Sequence, residues 1–135
     1  MQFKWNGSFE KGIARMDATH REFVEMVDVL LNCAESELTE KLAGLLEHTR
    51  EHFQQEDGWM AECRFPPIQI HMGEHARVLE IMQQSLQMAE QGETNPAREI
   101  VRQLPAWFKQ HAASMDNALA MHMKNTGHPA IESHE

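Results

Sequence analysis

His71-Met72-Gly73-Glu74-His75 lies near the start of a long segment that carries no proline and no turn signal. Residues four apart on an α-helix differ by about 40° around its axis, so the two imidazoles point the same way. The same face continues through Val78, Leu79, Met82, Leu86 and Ala89. This pattern predicts one amphipathic helix from Ile68 or Ile70 to Glu90, with two histidines on the stripe that should face a core. A helix with one apolar face must bury it, and the rest of the chain supplies only further helices for that purpose.

Upstream, Leu42, Leu45, Leu46, Thr49, His52, Phe53, Glu56 and Met60 share one face of a helix expected over about Glu40 to Cys63, with Thr39 as its N-cap. Arg64-Phe65-Pro66-Pro67 ends it, because consecutive prolines cannot continue a helix. Before that, Asp17 is a candidate N-cap for a helix running to about Cys33 or Glu35, whose face holds His20, Phe23, Val27, Leu30 and Leu31. Downstream, Gln91-Gly92-Glu93-Thr94 reads as a turn. Asn95 then caps a last helix with Pro96 at its first position. That helix carries Ile100, Leu104, Trp107, Phe108, His111, Met115, Leu119 and His122, and Pro105 should bend it or split off its first part.

Four amphipathic helices joined by short links predict an all-α fold, an up-down-up-down four-helix bundle. Residues 1–16 read as an irregular N-terminal arm anchored by Phe3, Trp5, Phe9 and Ile13. The bundle should occupy about 17–124, and 125–135 reads as a flexible tail, all within a single domain.

Composition narrows the function classes. The 135 residues carry a formal net charge of −9 with histidine neutral, which argues against a nucleic-acid partner, whose phosphates need a basic footprint. No stretch is apolar enough to span a membrane, and the first residues lack the pattern of a secretory signal, so the expected location is cytoplasmic. Cys33 and Cys63 show no Cys-x-x-Cys spacing and are expected to be free thiols. Nine histidines is high for this length and asks for an explanation beyond packing.

Metal binding supplies one. His71/His75 and His52/Glu56 are i,i+4 pairs placed on stripes that otherwise hold Leu, Phe and Met. A buried imidazole or carboxylate without a partner is costly, and coordination removes that cost. His20 lies at the start of its stripe. His111 and Asp116, five apart, would sit about 140° from one another on a regular helix, so they need a long-reaching carboxylate or a π-bulge to meet. Five histidines and two carboxylates exceed one tetrahedral zinc and suit two octahedral ions with shared bridges.

In order and spacing the chain resembles the hemerythrin family. The matching pieces are Trp5, Gly12-Ile13 leading to Asp17-x-x-His20, His52-Phe53-x-x-Glu56 with Met60, His71-x-x-x-His75, and Trp107-Phe108-x-x-His111-x-x-x-x-Asp116. The resemblance implies two iron ions with an oxo or hydroxo bridge. His71, His75 and His111 would hold one, His20 and His52 the other, and Glu56 and Asp116 would bridge them. It further implies an open position on the second ion where O2 binds reversibly, in a dry pocket walled by Phe53, Met60, Trp107, Phe108 and Ala112.

Two positions depart from the family pattern. His48 stands one turn before His52, where relatives often carry tyrosine, and by spacing alone it could replace His52 as a ligand. The match of His52-Phe53 to the motif decides for His52, leaving His48 as a core histidine or a group near the metal. Ala112 stands where relatives often carry a larger aliphatic residue. His122, His128 and His134 are expected to be solvated. The function expected from the resemblance is oxygen transport, storage or delivery by a monomer that is not an enzyme, with O2 and an oxygen-consuming client protein as partners. A diiron oxidoreductase and an O2 or redox sensor are the competing readings.

Overall fold

The computed structural model describes residues 2–132. It contains three long helices, α1 (Ala14–Asn32), α2 (Leu38–Glu62) and α3 (Ile68–Glu90). A fourth, interrupted helix follows: α4 (Thr94–Val101), α5 (Leu104–His111), a π-helical turn over Ala112–Asp116, and α6 (Asn117–Thr126). The links at 33–37, 63–67 and 91–93 are short, so successive helices run antiparallel and the bundle is up-down-up-down. The described residues contain no strand, and no helix among them is long and apolar enough to cross a membrane.

The helix starts differ from the sequence expectation. α1 begins at Ala14 with Ile13 in the N-cap position, and Asp17 sits inside the first turn. From there its carboxylate accepts the N–H groups of Lys11 (2.8 Å) and Gly12 (3.1 Å), so it fixes the approach to the helix instead of capping it. Gly12 has φ +81°, and a Cβ there would lie 2.6 Å from Lys124 Nζ. Thr39 is not the cap of α2, because a 3-10 turn over Glu35–Glu37 runs directly into Leu38. α4 starts at Thr94 with Glu93 in the cap position; Asn95 and Pro96 fall within its first turn. Thr94 Oγ1 instead donates to Glu35 Oε1 at 2.8 Å, tying this end to the α1–α2 link. Pro105 does split the last helix, which breaks after Val101 and restarts at Leu104.

The N-terminal arm packs on the body. Phe3 and Phe9 are buried, and both rings meet Phe108 edge-on, at 5.9 and 5.3 Å between centroids. Phe3 N–H donates to Asp28 on α1 (2.7 Å). The guanidinium of Arg21 lies 5.0 Å from the Trp5 ring centroid.

The apolar core is divided in two. The larger cluster includes Phe23, Val27, Leu42, Leu45, Val78, Met82 and Phe108. The smaller includes Ile13, Met16, Met60, Phe65, Leu119 and Met123. The buried ionisable side chains of the helices gather at the junction: His20 between Met16 and Phe23, Glu56 between Phe53 and Met60, His71 and His75 between Phe65 and Val78, Asp116 between Ala112 and Leu119. A polar layer therefore crosses the whole bundle.

Residues 128–131, at the end of the described segment, differ from the expected flexible tail, whereas Asn125, Thr126 and Pro129 are exposed. Gly127 takes φ +71° and terminates α6 in the left-handed conformation, turning the chain back towards α2. His128 is buried there, with Nε2 2.7 Å from Glu62 Oε1 and Nδ1 accepting the Ala130 N–H at 3.0 Å. His122 is half-buried, and its Nε2 lies 2.8 Å from the Cys63 carbonyl oxygen. Neither is solvated; each found a backbone or carboxylate partner that sequence spacing does not reveal. His134 lies outside the described residues. Both cysteines are free thiols, Cys63 buried and Cys33 half-buried.

Candidate metal centre

The polar layer gathers seven side chains, each at most 5 % exposed: His20 from α1, His52 and Glu56 from α2, His71 and His75 from α3, His111 from α5, and Asp116 from the π turn. The π turn settles how the last two meet. Its i→i+5 period makes His111 and Asp116 neighbours on one face, with His111 Nε2 3.1 Å from Asp116 Oδ1.

The two oxygens of each carboxylate face different histidines. Glu56 Oε2 lies 2.7 Å from His52 Nε2 and 3.0 Å from His20 Nε2, whereas Oε1 lies 3.2 Å from His75 and 3.6 Å from His71. Asp116 Oδ2 lies 3.2 Å from His20, whereas Oδ1 lies 3.1 Å from both His71 and His111. The donor atoms thus form two groups, His71, His75, His111, Glu56 and Asp116 in one and His20, His52 and Glu56 in the other.

This cluster asks for positive charge. Burial disfavours the charged form of His20, but hydrogen bonds and charge from Asp116 and Glu56 outweigh it and push the imidazole up to about 10. His71 rises in the same way to about 9. At His52 burial wins, and the group is held below its ordinary value. Burial alone would raise Glu56 and Asp116, yet the surrounding imidazoles hold both well below the usual carboxylate range. Hydrogen bonding does not complete the layer. Glu56 Oε1, both Asp116 oxygens and His75 Nε2 are buried with only close contacts of 3.1–3.6 Å across the layer and no well-aligned hydrogen bond among the described residues. His71 Nε2 and His111 Nε2 face each other at 3.2 Å, where only one proton fits. Metal cations would satisfy all of these atoms together.

A model of the hemerythrin HHE cation binding domain matches residues 11–122. The chain belongs to the hemerythrin family. It is also 30 % identical over 129 residues to a bacteriohemerythrin of Ralstonia nicotianae, an alignment that covers 96 % of this chain and 94 % of that relative. No solved structure gives a significant match.

In this hemerythrin domain aromatic rings fix the imidazoles. Phe53 stacks flat on His75, 3.9 Å between centroids at 5°. Trp107 stacks on His111 at 4.7 Å and 19°, and its Nε1–H donates to Glu74 Oε1 at 2.9 Å. Phe108 meets His20 edge-on at 5.4 Å and stacks on Phe23. Ala112 is buried beside them and Met60 is buried on the opposite side of the layer, in the smaller apolar cluster.

Sequence reasoning missed Asp57. Its Oδ1 lies 2.9 Å from His75 Nδ1, on the outer edge of the ring. The outer Nδ1 atoms of His20, His52, His71 and His111 have no such partner among the described residues. The available signal was position: Asp57 follows Glu56 directly, and α2 faces α3 across this layer. His48 is neither in the cluster nor a core histidine with a backbone partner. It is half-buried, with Nε2 3.6 Å from Glu22 Oε1 and its Nδ1 unpartnered.

Proposed function

We propose that this chain holds two iron ions and binds O2 reversibly between them and the surrounding aromatic wall. The observation that carries the reading is the division of each carboxylate between two sets of histidines. On this reading His71, His75 and His111 would hold one ion, His20 and His52 would hold the other, and Glu56 and Asp116, each facing both sets, would serve both. With three imidazoles on one side and two on the other, the His20 and His52 side would offer one protein ligand fewer, and an exogenous diatomic molecule would be accommodated there. Imidazoles with only two carboxylates suit iron without favouring the high-valent states that split O–O bonds.

Two ferrous ions, when bound, supply the electrons that O2 takes up and returns. The chain's own part is to position and to dry. Phe53 and Trp107 clamp His75 and His111, and Asp57 holds the proton on His75 Nδ1 so that Nε2 is free to ligate. Phe23, Phe108 and Ala112 are at most 1 % exposed and keep water from the His20 side of the layer. On this reading the protein is an oxygen carrier or store and not an enzyme, acting as a monomer that passes O2 to an oxygen-consuming client.

The test is anaerobic reconstitution with ferrous iron followed by air and then argon. Two irons per chain and a visible charge-transfer band that appears in air and reverses under argon support the carrier. A band that decays irreversibly while a reductant is consumed supports an oxidoreductase instead. Absence of any band sinks the diiron reading.

A further inference from the structure

Seven side chains this deeply buried must still receive their ions, and grooves among the described residues touch His71, His111 and His52 from outside. One, between α3 and the π turn, touches His71 and is lined by Phe65, Pro67, Ile70, Ser114, Met115 and Ala118, a largely apolar surface with no carboxylate for a hydrated cation. A second touches His111, but it contains Arg77, and its carboxylate Glu74 is already held by Arg77 (2.5 Å) and Trp107 (2.9 Å). The third, about 230 Å³ between α1 and α2, is lined by Thr19, Glu22, His48, Glu51, His52 and Gln55. It contains no lysine or arginine.

We propose that this third groove is a capture site for hydrated divalent cations, through which ferrous iron is loaded into the centre; the proposal rests on the diiron reading above. Its side chains are the right donors. Glu22 and Glu51 are exposed carboxylates, His48 presents Nε2 3.6 Å from Glu22 Oε1, and Gln55 adds an amide oxygen. Ferrous iron accepts imidazole and carboxylate together. His48 and Glu51, His48 and His52, Glu51 and Gln55, and His52 and Gln55 are three or four residues apart, so one face of α2 carries the donors inward. Thr19 Oγ1 reaches Gln55 Oε1 at 3.4 Å and closes the groove from α1.

The groove leads to the centre. His52 is 5 % exposed, lines the groove, and uses Nε2 on Glu56; its Nδ1, at the other edge of the ring, is buried without a partner. The His48 and His52 ring centroids are 6.4 Å apart, and those of His52 and His20 are 4.9 Å apart. An ion held by Glu22 and His48 is thus one ligand exchange from His52. Loading is substitution only: water leaves the ion as carboxylate and imidazole bind, and no electron moves. A cleft of one charge sign also concentrates the opposite ion, and a net charge of −9 favours cations at every approach.

The experiment is rapid-mixing uptake of ferrous iron by the metal-free protein without oxygen, followed by the iron endpoint and the visible spectrum in air. Wild type should reach two irons per chain. The double variant Glu22→Gln/His48→Gln should reach the same endpoint and spectrum about tenfold more slowly. Glu22→Gln alone, at an exposed position, should slow uptake in the same direction if the double variant folds poorly. Glu47→Gln removes the same charge from an α2 position that does not line the groove and should load at the wild-type rate. Wild-type rates in the Glu22 variants, equal slowing by Glu47→Gln, or an endpoint below two irons in the variants alone would each overturn the capture site. A wild-type endpoint below two irons would instead overturn the diiron reading, whatever the rates.

Discussion

Asp57 Oδ1 accepts the Nδ1 proton of His75 at 2.9 Å while Phe53 covers the face of the same ring. Among the five clustered imidazoles, His75 is therefore held in one tautomer and one plane before any ion arrives. A carboxylate on the outer nitrogen also makes the inner nitrogen more basic. Asp57→Asn should weaken metal affinity by about 10–100-fold with unchanged helicity, and Asp57→Glu should recover part of it. Competition against a chelator of known affinity reads this. Unchanged affinity in Asp57→Asn would mean that the ring is held by Phe53 alone.

The π turn adds one residue to the helical turn that joins α5 to α6. Deleting Ala113, which is exposed, should let the segment close into α geometry. His111 and Asp116 would then stand four apart and still share a face, and the apolar positions on either side would keep their register. The expected outcome is a helical protein that still takes up two ions, in contrast to Asp116→Ala, which should not. Loss of metal in the deletion variant would show that the wider turn sets the carboxylate's depth as well as its direction.

His128 joins the chain end to α2 through Glu62 and to its own turn through the Ala130 N–H. Glu62 is largely exposed, so most of the loss in His128→Ala should come from the buried ring and the backbone hydrogen bond, about 1–2 kcal/mol. The urea midpoint should fall while the metal content stays the same, because His128 lies outside the polar layer. A change in metal content would tie this turn to the centre.

Much of the site is legible in the sequence because it depends on local periodicity. His71 with His75, and His52 with Glu56, reveal themselves by four-residue spacing on apolar stripes, and Pro105 marks the break in the last helix. What was not legible depends on contacts between distant segments. Asp57 lies off the inner stripe of α2, and only the packing of α3 shows that it meets His75. His128 looked like part of a solvated end until Gly127 turned the chain onto Glu62, 66 residues away in sequence. Asp17, Thr39 and Asn95 have the chemistry of helix caps, but an Asp17 carboxylate bonded to Lys11 and Gly12 and a 3-10 turn before Leu38 moved the actual starts. For Asp116, spacing left two solutions, a long reach or a wider turn, and the backbone took the second.

The charge balance of the layer predicts how the metal-free protein responds to pH. His20, pushed up to about 10, and His71, to about 9, lie above their ordinary 6.5. A group raised on folding gives stability that is complete below its unfolded value and is lost as pH rises through its folded value. Protons on these imidazoles therefore stabilise the metal-free bundle near neutrality, and that contribution disappears between about pH 6.5 and pH 10. Glu56 and Asp116 are lowered, so their contribution is complete above the ordinary carboxylate range and is lost below it. The melting temperature of chelator-treated protein should peak between roughly pH 5 and 6.5 and fall towards pH 10. Bound cations replace those protons, so the loaded protein should lose the alkaline decline, and loading near pH 7.5 should release protons into a weakly buffered solution. A flat melting temperature from pH 6.5 to 10 in the metal-free protein would show that the carboxylates are not neutralised by His20 and His71.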